Sequence, residues 1–109
     1  MGIADEKVEL QRKYQTVKQK LEEQISDERL QEKRLINDLE DLQQVTYHYA
    51  NRLFNDEDSQ INLRQGMSFL EYVKASVHDE YQAEYRKIKR TIEDETMEYQ
   101  MKVRKLEGE

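Results

Sequence analysis

Apolar residues recur along nearly the whole chain at gaps of four and three, and no proline interrupts them. Leu10, Tyr14, Val17 and Leu21 make one run. Leu35, Leu39, Leu42, Tyr49 and Leu53 make a second, with Thr46 in step, and Val77, Tyr81, Tyr85, Ile88 and Ile92 make a third. Side chains three and four residues apart share one side of an α-helix, so this is the period of a seam that meets another helix. A chain made almost wholly of seam has little room for a pocket. It is built to hold other helices or to be held by them.

At 109 residues the chain is at most one domain. It is 36% hydrophobic and 39% charged, too polar for a conventional globular core. Disorder would account for the polarity, but disordered chains rarely keep a clean three/four spacing of Leu, Ile, Val and Tyr. The abundance of Glu, Lys, Arg, Leu and Gln fits long helices instead. The net charge of -6 comes from interspersed charges of both signs. The densest basic group, Arg86, Lys87, Lys89 and Arg90, has Glu84 before it and Glu93, Asp94 and Glu95 after it. No basic stripe is left to neutralise phosphates, so nucleic acid is not an expected partner. Cysteine is absent, which removes disulfides and thiolate metal sites. No apolar run is long enough for a signal peptide or a membrane span. The expected location is cytoplasmic, with co-export needing a route other than a classical signal.

The first helix is expected over about residues 5–54, with Asp5 capping its free N–H groups. Its weakest stretch is Ser26 to Arg34, where six of nine residues are charged and Leu30 alone is apolar. Two successive gaps of four, Val17 to Leu21 to Ile25, form a stutter just before it. A continuous helix with a weak point is expected there. The connection is placed at about 55–67. Asn55-Asp56-Glu57-Asp58-Ser59 is acidic and rich in cap formers, and Gly66 follows. Ser68 with Glu71 has capping-box spacing, and Met67 with Tyr72 has hydrophobic-staple spacing. These place the second helix over about 68–107. A competing start at Asp58 or Ser59 leaves a short helix carrying Ile61 and Leu63 before Gly66. Phe54 is expected to close the hairpin tip and Asp58 to cap.

Two long helices with a short connection fold back antiparallel. The expected fold is therefore all-α, a coiled-coil-like two-helix hairpin. Such a hairpin buries one stripe per helix and is marginally stable alone. Ile25, Ile36, Val45, Phe69, Val73, Met97 and Met101 lie off the main seam. They either widen the stripe or form a second face that completes a helical bundle with a partner chain; marginal stability favours the second.

No catalytic arrangement stands out. There is no glycine-rich phosphate loop, no Ser/His/Asp spacing and no His-x-x-x-His pair. The Glu-x-x-His spacing of di-metal bundles is also missing, because Val45 and Ala75 precede His48 and His78 at that offset. An enzyme, a cofactor and a metal are therefore not expected. Seven tyrosines accompany no tryptophan. Tyrosine at seam positions either packs with its hydroxyl toward water or anchors an interface, where it supplies area and a hydrogen bond.

Length, the absence of cysteine and proline, a polar first helix, the segment Tyr49-Ala50-Asn51-Arg52-Leu53-Phe54 before the turn, and Tyr81-Gln82-Ala83-Glu84-Tyr85 leading the second helix to Leu106 together resemble one family. This is the family of small α-helical proteins encoded beside LXG-type toxins of Gram-positive type VII secretion systems. The resemblance implies a distant relative of the WXG-type helical hairpins that pair into four-helix bundles. It implies binding to the helical N-terminal domain of a cognate toxin, with a second small helical protein in the complex, and presentation of that toxin for export. There is no Trp-x-Gly turn here. The C-terminal Tyr-x-x-x-Asp/Glu export signal is missing too, since Val103 follows Tyr99 and Lys89 follows Tyr85 at that offset. The chain thus resembles the accessory partner more than the one bearing the signal.

The expected function is a non-enzymatic, chaperone-like targeting partner acting by helix-on-helix burial. Its expected interface residues are Leu39, Leu42, Tyr49, Leu53, Phe69, Tyr72, Tyr81, Tyr85, Ile88 and Ile92. The alternative is a self-associating structural coiled coil or a stalk-like part of an export apparatus, which makes a homodimer the competing arrangement.

Overall fold

The computed structural model describes residues 2–53 and 55–108. It contains two helices, α1 (Ile3–Leu53) and α2 (Glu57–Leu106). Both carry acids in the first turn and bases in the last, matching the positive and negative ends of the helix dipole. Helix α1 starts two residues before the expected Asp5, and the Gly2 carbonyl accepts from the N–H groups of Asp5 and Glu6. At the other terminus Gly108 takes a positive φ of 88°, and its N–H donates to the Lys105 carbonyl. A left-handed glycine just past a helix is a usual C-terminal stop.

The connection is far shorter than 55–67, and this corrects the expected turn. Asp56 caps α2: its Oδ2 accepts from the Ser59 N–H at 3.0 Å, and its carbonyl accepts from the Gln60 N–H at 3.0 Å. Asp58 lies in the first turn of α2 and is not the cap, so the competing start is the nearer one. Gly66, Ser68 and Glu71 all lie inside continuous helix. A lone glycine in a helix costs about 1 kcal/mol relative to alanine. That is too little to break a helix that buries Leu63 and half-buries Met67 and Leu70. The Ser68/Glu71 spacing is also simply that of neighbours on one helical face, and a capping box needs a non-helical residue at its start. Phe54, expected at the tip, lies outside the described residues.

Contacts group the chain into two compact units, Met1–Asp27 with Ala83–Glu109, and Glu28–Gln82. The boundary on α1 falls inside the polar stretch Ser26–Arg34, through which the helix runs unbroken. In both units the partner on α2 falls in number as α1 rises, so the helices run antiparallel. The first unit pairs Lys7 with Glu107 at 2.8 Å and Tyr14 with Thr96 at 2.7 Å. The second pairs Glu32 with His78, Glu40 with Lys74, Gln43 with Glu71 and Asn51 with Gln60.

Burial is sparse. Among the described residues only Ile25, Leu63, Tyr85 and Ile88 form a buried apolar core, and Gln43 is buried with them at 7% exposure. The first unit holds Ile25, Tyr85 and Ile88. It also holds a parallel stack of Tyr14 on Tyr99, with ring centroids 4.5 Å apart and planes within 5°. The Thr96 hydroxyl donates to the Ile92 carbonyl at 2.8 Å, which leaves the Tyr14 hydroxyl as the donor to Thr96.

Candidate partner-binding surface

The period of α1 changes what it buries on passing into the second unit. At positions in step with Ile25 come Glu28, Glu32, Ile36, Leu39 and Gln43, of which Gln43 is buried and the others half-buried. Carboxylates at seam positions are costly to desolvate, and the Glu28 Oε2 is buried with no hydrogen-bond partner among the described residues. Gln43 is satisfied by donating its Nε2–H to Glu71 Oε1 at 2.9 Å. Glu71 also lies 3.0 Å from the Lys74 ammonium. The hydrogen bond from Gln43 and then that from Lys74 hold the Glu71 carboxyl below the ordinary glutamate range.

Polar residues in the seam displace the strongest apolar stripe to the outside. Leu35, Leu42 and Tyr49 are spaced seven apart and share one side of α1, with Val45 and Leu53 beside them, and all five are exposed. Leu42 keeps 50% of its surface open to solvent. Glu40, by contrast, lies about 160° round the helix from Leu42 at 3.6 residues per turn. On α2, Phe69 and half-buried Val73 are likewise about 160° from Glu71. The pairs Glu40–Lys74 and Gln43–Glu71 therefore occupy one side of the second unit. Leu35, Leu42, Tyr49, Phe69 and Val73 occupy the other, forming an apolar face contributed by both helices. Tyr72, at 68% exposure, and Ile61 extend it onto the outer side of α2.

The expected interface residues thus separate. Leu42, Tyr49, Leu53, Phe69 and Tyr72 are exposed and available to a partner. Leu39, Tyr81 and Ile92 are half-buried. Tyr85 and Ile88, at 4% and 5% exposure, belong to the chain's own core, which corrects their assignment as partner contacts. Val45 and Val73, noted in the sequence only as off-seam, join the exposed face or its margin. The sequence signal for this was the run from Leu42 to Asn51, ten residues without a charge in a chain that is 39% charged.

The crevices of the surface are open. One, of about 90 Å³, lies among Leu10, Tyr14, Val17 and Tyr99, between the charged side chains of Lys13, Glu95, Glu98 and Lys102. Among the described residues no three His, Cys, Asp or Glu side chains converge to hold a metal ion. No helix among them is long and apolar enough to cross a membrane. Comparison with protein-family models, with curated proteins and with solved structures finds no match.

Proposed function

We propose that this chain is a non-enzymatic helical binding partner. In this reading it holds the helical N-terminal domain of a cognate LXG-type toxin and promotes export of that toxin by a type VII secretion system. The observation that carries the binding role is the exposed two-helix face around Leu42, Tyr49 and Phe69. Contiguous apolar surface of this kind marks a site of association. The surface area supports it as well. The chain exposes 8663 Å², whereas a compact monomer of its 13.3 kDa mass would expose about 6450 Å². The toxin as partner, and the chaperone-like role, rest on the resemblance of helix composition, length and turn-proximal segment.

The test is co-expression with the helical N-terminal domain of the toxin encoded beside it. The two are expected to co-purify, and the complex to be more helical and to melt higher than the separate chains, since a partner that binds only the folded form stabilises it. Leu42→Asp is expected to abolish the complex. Undiminished binding by Leu42→Asp and Phe69→Asp would remove the proposed surface. A stable homodimer indifferent to the toxin domain would instead favour a self-associating structural coiled coil.

A further inference from the structure

We infer that the partner of this face is a different chain whose apolar helical stripe is flanked by lysine and arginine, and not a second copy of this one. The inference rests on the binding role proposed above and specifies the chemistry of the occupant.

The charges that border the middle of the face are of one sign. On α1, Arg34 and Arg52 flank the stripe at its two ends, and between them the charged residues are Asp38, Glu40 and Asp41, of which Glu40 lies on the far side. On α2, from Gln65 to Val73, the one charged residue is Glu71, on the far side, so no base of this stretch borders the face. Asp38 falls three residues after Leu35 and four before Leu42, and Asp41 four before Val45, so both border the apolar stripe directly. Lys74, the base beside Val73, is already engaged on the far side by Glu71 and Glu40. Over the whole second unit, 11 acidic residues face 6 basic ones, whereas the first unit has 13 and 12. The imbalance of the protein is thus concentrated in the unit that carries the exposed face.

A second copy docked on this face would bring together the acidic middles of two rims, Asp38 and Asp41 of each. Rim charges of like sign slow association and select against the wrong partner. An anionic membrane surface is disfavoured for the same reason, since it attracts basic segments. An apolar helix with Lys and Arg flanks answers both features. Its stripe covers Leu42, Tyr49 and Phe69, and its cations meet Asp38 and Asp41.

The test uses the full chain and two stabilised helical peptides with the same leucine stripe, one flanked by lysine and the other by glutamate. The lysine peptide is expected to bind about tenfold tighter at about 0.05 M salt, with the preference largely gone at about 1 M, where charges are screened within about 3 Å. Leu42→Asp adds a negative charge and would strengthen a merely electrostatic attraction; docking on the face predicts weaker binding instead. Leu30→Asp is the control. Leu30 is exposed to a similar degree, at 48%, but lies about 120° round α1 from Leu42, and its substitution is expected to leave docking intact.

Equal affinity for the two peptides, or tighter binding of the lysine peptide by Leu42→Asp, would overturn the inference. So would a homodimer in sedimentation that Leu42→Asp dissolves. If the toxin domain binds while the peptides are not distinguished, the charge inference alone fails. If the peptides are distinguished as described and the toxin domain does not bind, the toxin reading alone fails.

Discussion

The two compact units are built from the same two helices, yet they dispose of their apolar residues in opposite ways. The unit of residues 1–27 and 83–109 turns Ile25, Tyr85 and Ile88 inward, stacks Tyr14 on Tyr99 and nearly balances its charges. The unit of residues 28–82 buries Leu63 and Gln43, sets Glu28 and Glu32 at seam positions and leaves Leu35, Leu42, Tyr49 and Phe69 outside. A two-helix hairpin offers each helix one neighbour. Where polar side chains take the shared positions, the best apolar stripe has nothing within its own chain to meet. The first unit is organised to hold itself together, and the second to be completed.

The sharpest way to break that contrast is to place the same change in each unit. Ile88→Ala removes a buried side chain from a core with few members and is expected to cost about 2–4 kcal/mol. Ile88→Asp leaves an unpaired charge there and is expected to abolish the cooperative thermal transition of helicity. Leu42→Asp is expected to move the midpoint little, because substitutions at exposed sites usually fall within about 0.5 kcal/mol. Circular dichroism melts of the isolated chain decide it. Similar losses from both aspartate variants would mean that the second unit depends on its exposed stripe as much as the first depends on its core.

Leu42 and Ile88 also show how far the sequence could be read. Both are seam residues by spacing, and the all-helical antiparallel hairpin followed directly from such spacing. Which seam residue meets the other helix of the same chain was not legible. That depends on the register and on the few degrees per turn by which a stripe drifts round its helix. Gln43 is the clearest case: four residues after Leu39, it is in step with the seam, but only Glu71 across the interface makes its burial tolerable. The turn lies before residue 57, and not over the expected 55–67, for a related reason. The capping signal at Ser68 and Glu71 is local, and it competes with tertiary burial of Leu63, which local spacing does not weigh. Asp56, the residue that does cap, stood in the acidic cluster already identified as rich in cap formers.

Two smaller changes sharpen the contrast from either side. In the first unit, Tyr14→Leu removes the ring stack and the hydroxyl bonded to Thr96. It is expected to lower stability by roughly 1 kcal/mol beyond the area lost. A double-mutant cycle with Tyr99→Leu isolates the ring–ring part, and a coupling energy near zero would make the stack incidental. In the second unit, Gly66→Ala is expected to raise stability by roughly 0.5–1 kcal/mol, since a Cβ there meets nothing within 4 Å and alanine favours helix. If Gly66→Ala lowers the melting point, the glycine is serving a backbone need that the open space around it does not reveal.

The smallest expected effect is the dependence of the second unit on acid. The Asp56 carboxyl is held below the ordinary aspartate range by its hydrogen bonds to Ser59, the side chain first and the backbone N–H second. Glu71 is lowered across the helix pair by Gln43 and then Lys74, whereas Glu9 in the first unit is lowered by Arg12 of its own helix. A carboxyl depressed in the folded state adds stability that is fully present above its unfolded value, about 4. That contribution is lost as the pH falls through the lower folded value. Acid should therefore loosen the start of α2 and the Gln43–Glu71 contact. Asparagine caps a helix without titrating at these pH values, so Asp56→Asn should flatten the acid limb while leaving stability near neutrality almost unchanged. Amide exchange at Glu57 to Gln60, followed from about pH 5 to pH 2 after correction for intrinsic rates, measures it. Parallel acid limbs for parent and variant would mean that the Asp56 charge adds nothing to the cap, and that the acid response of the second unit lies with Glu71.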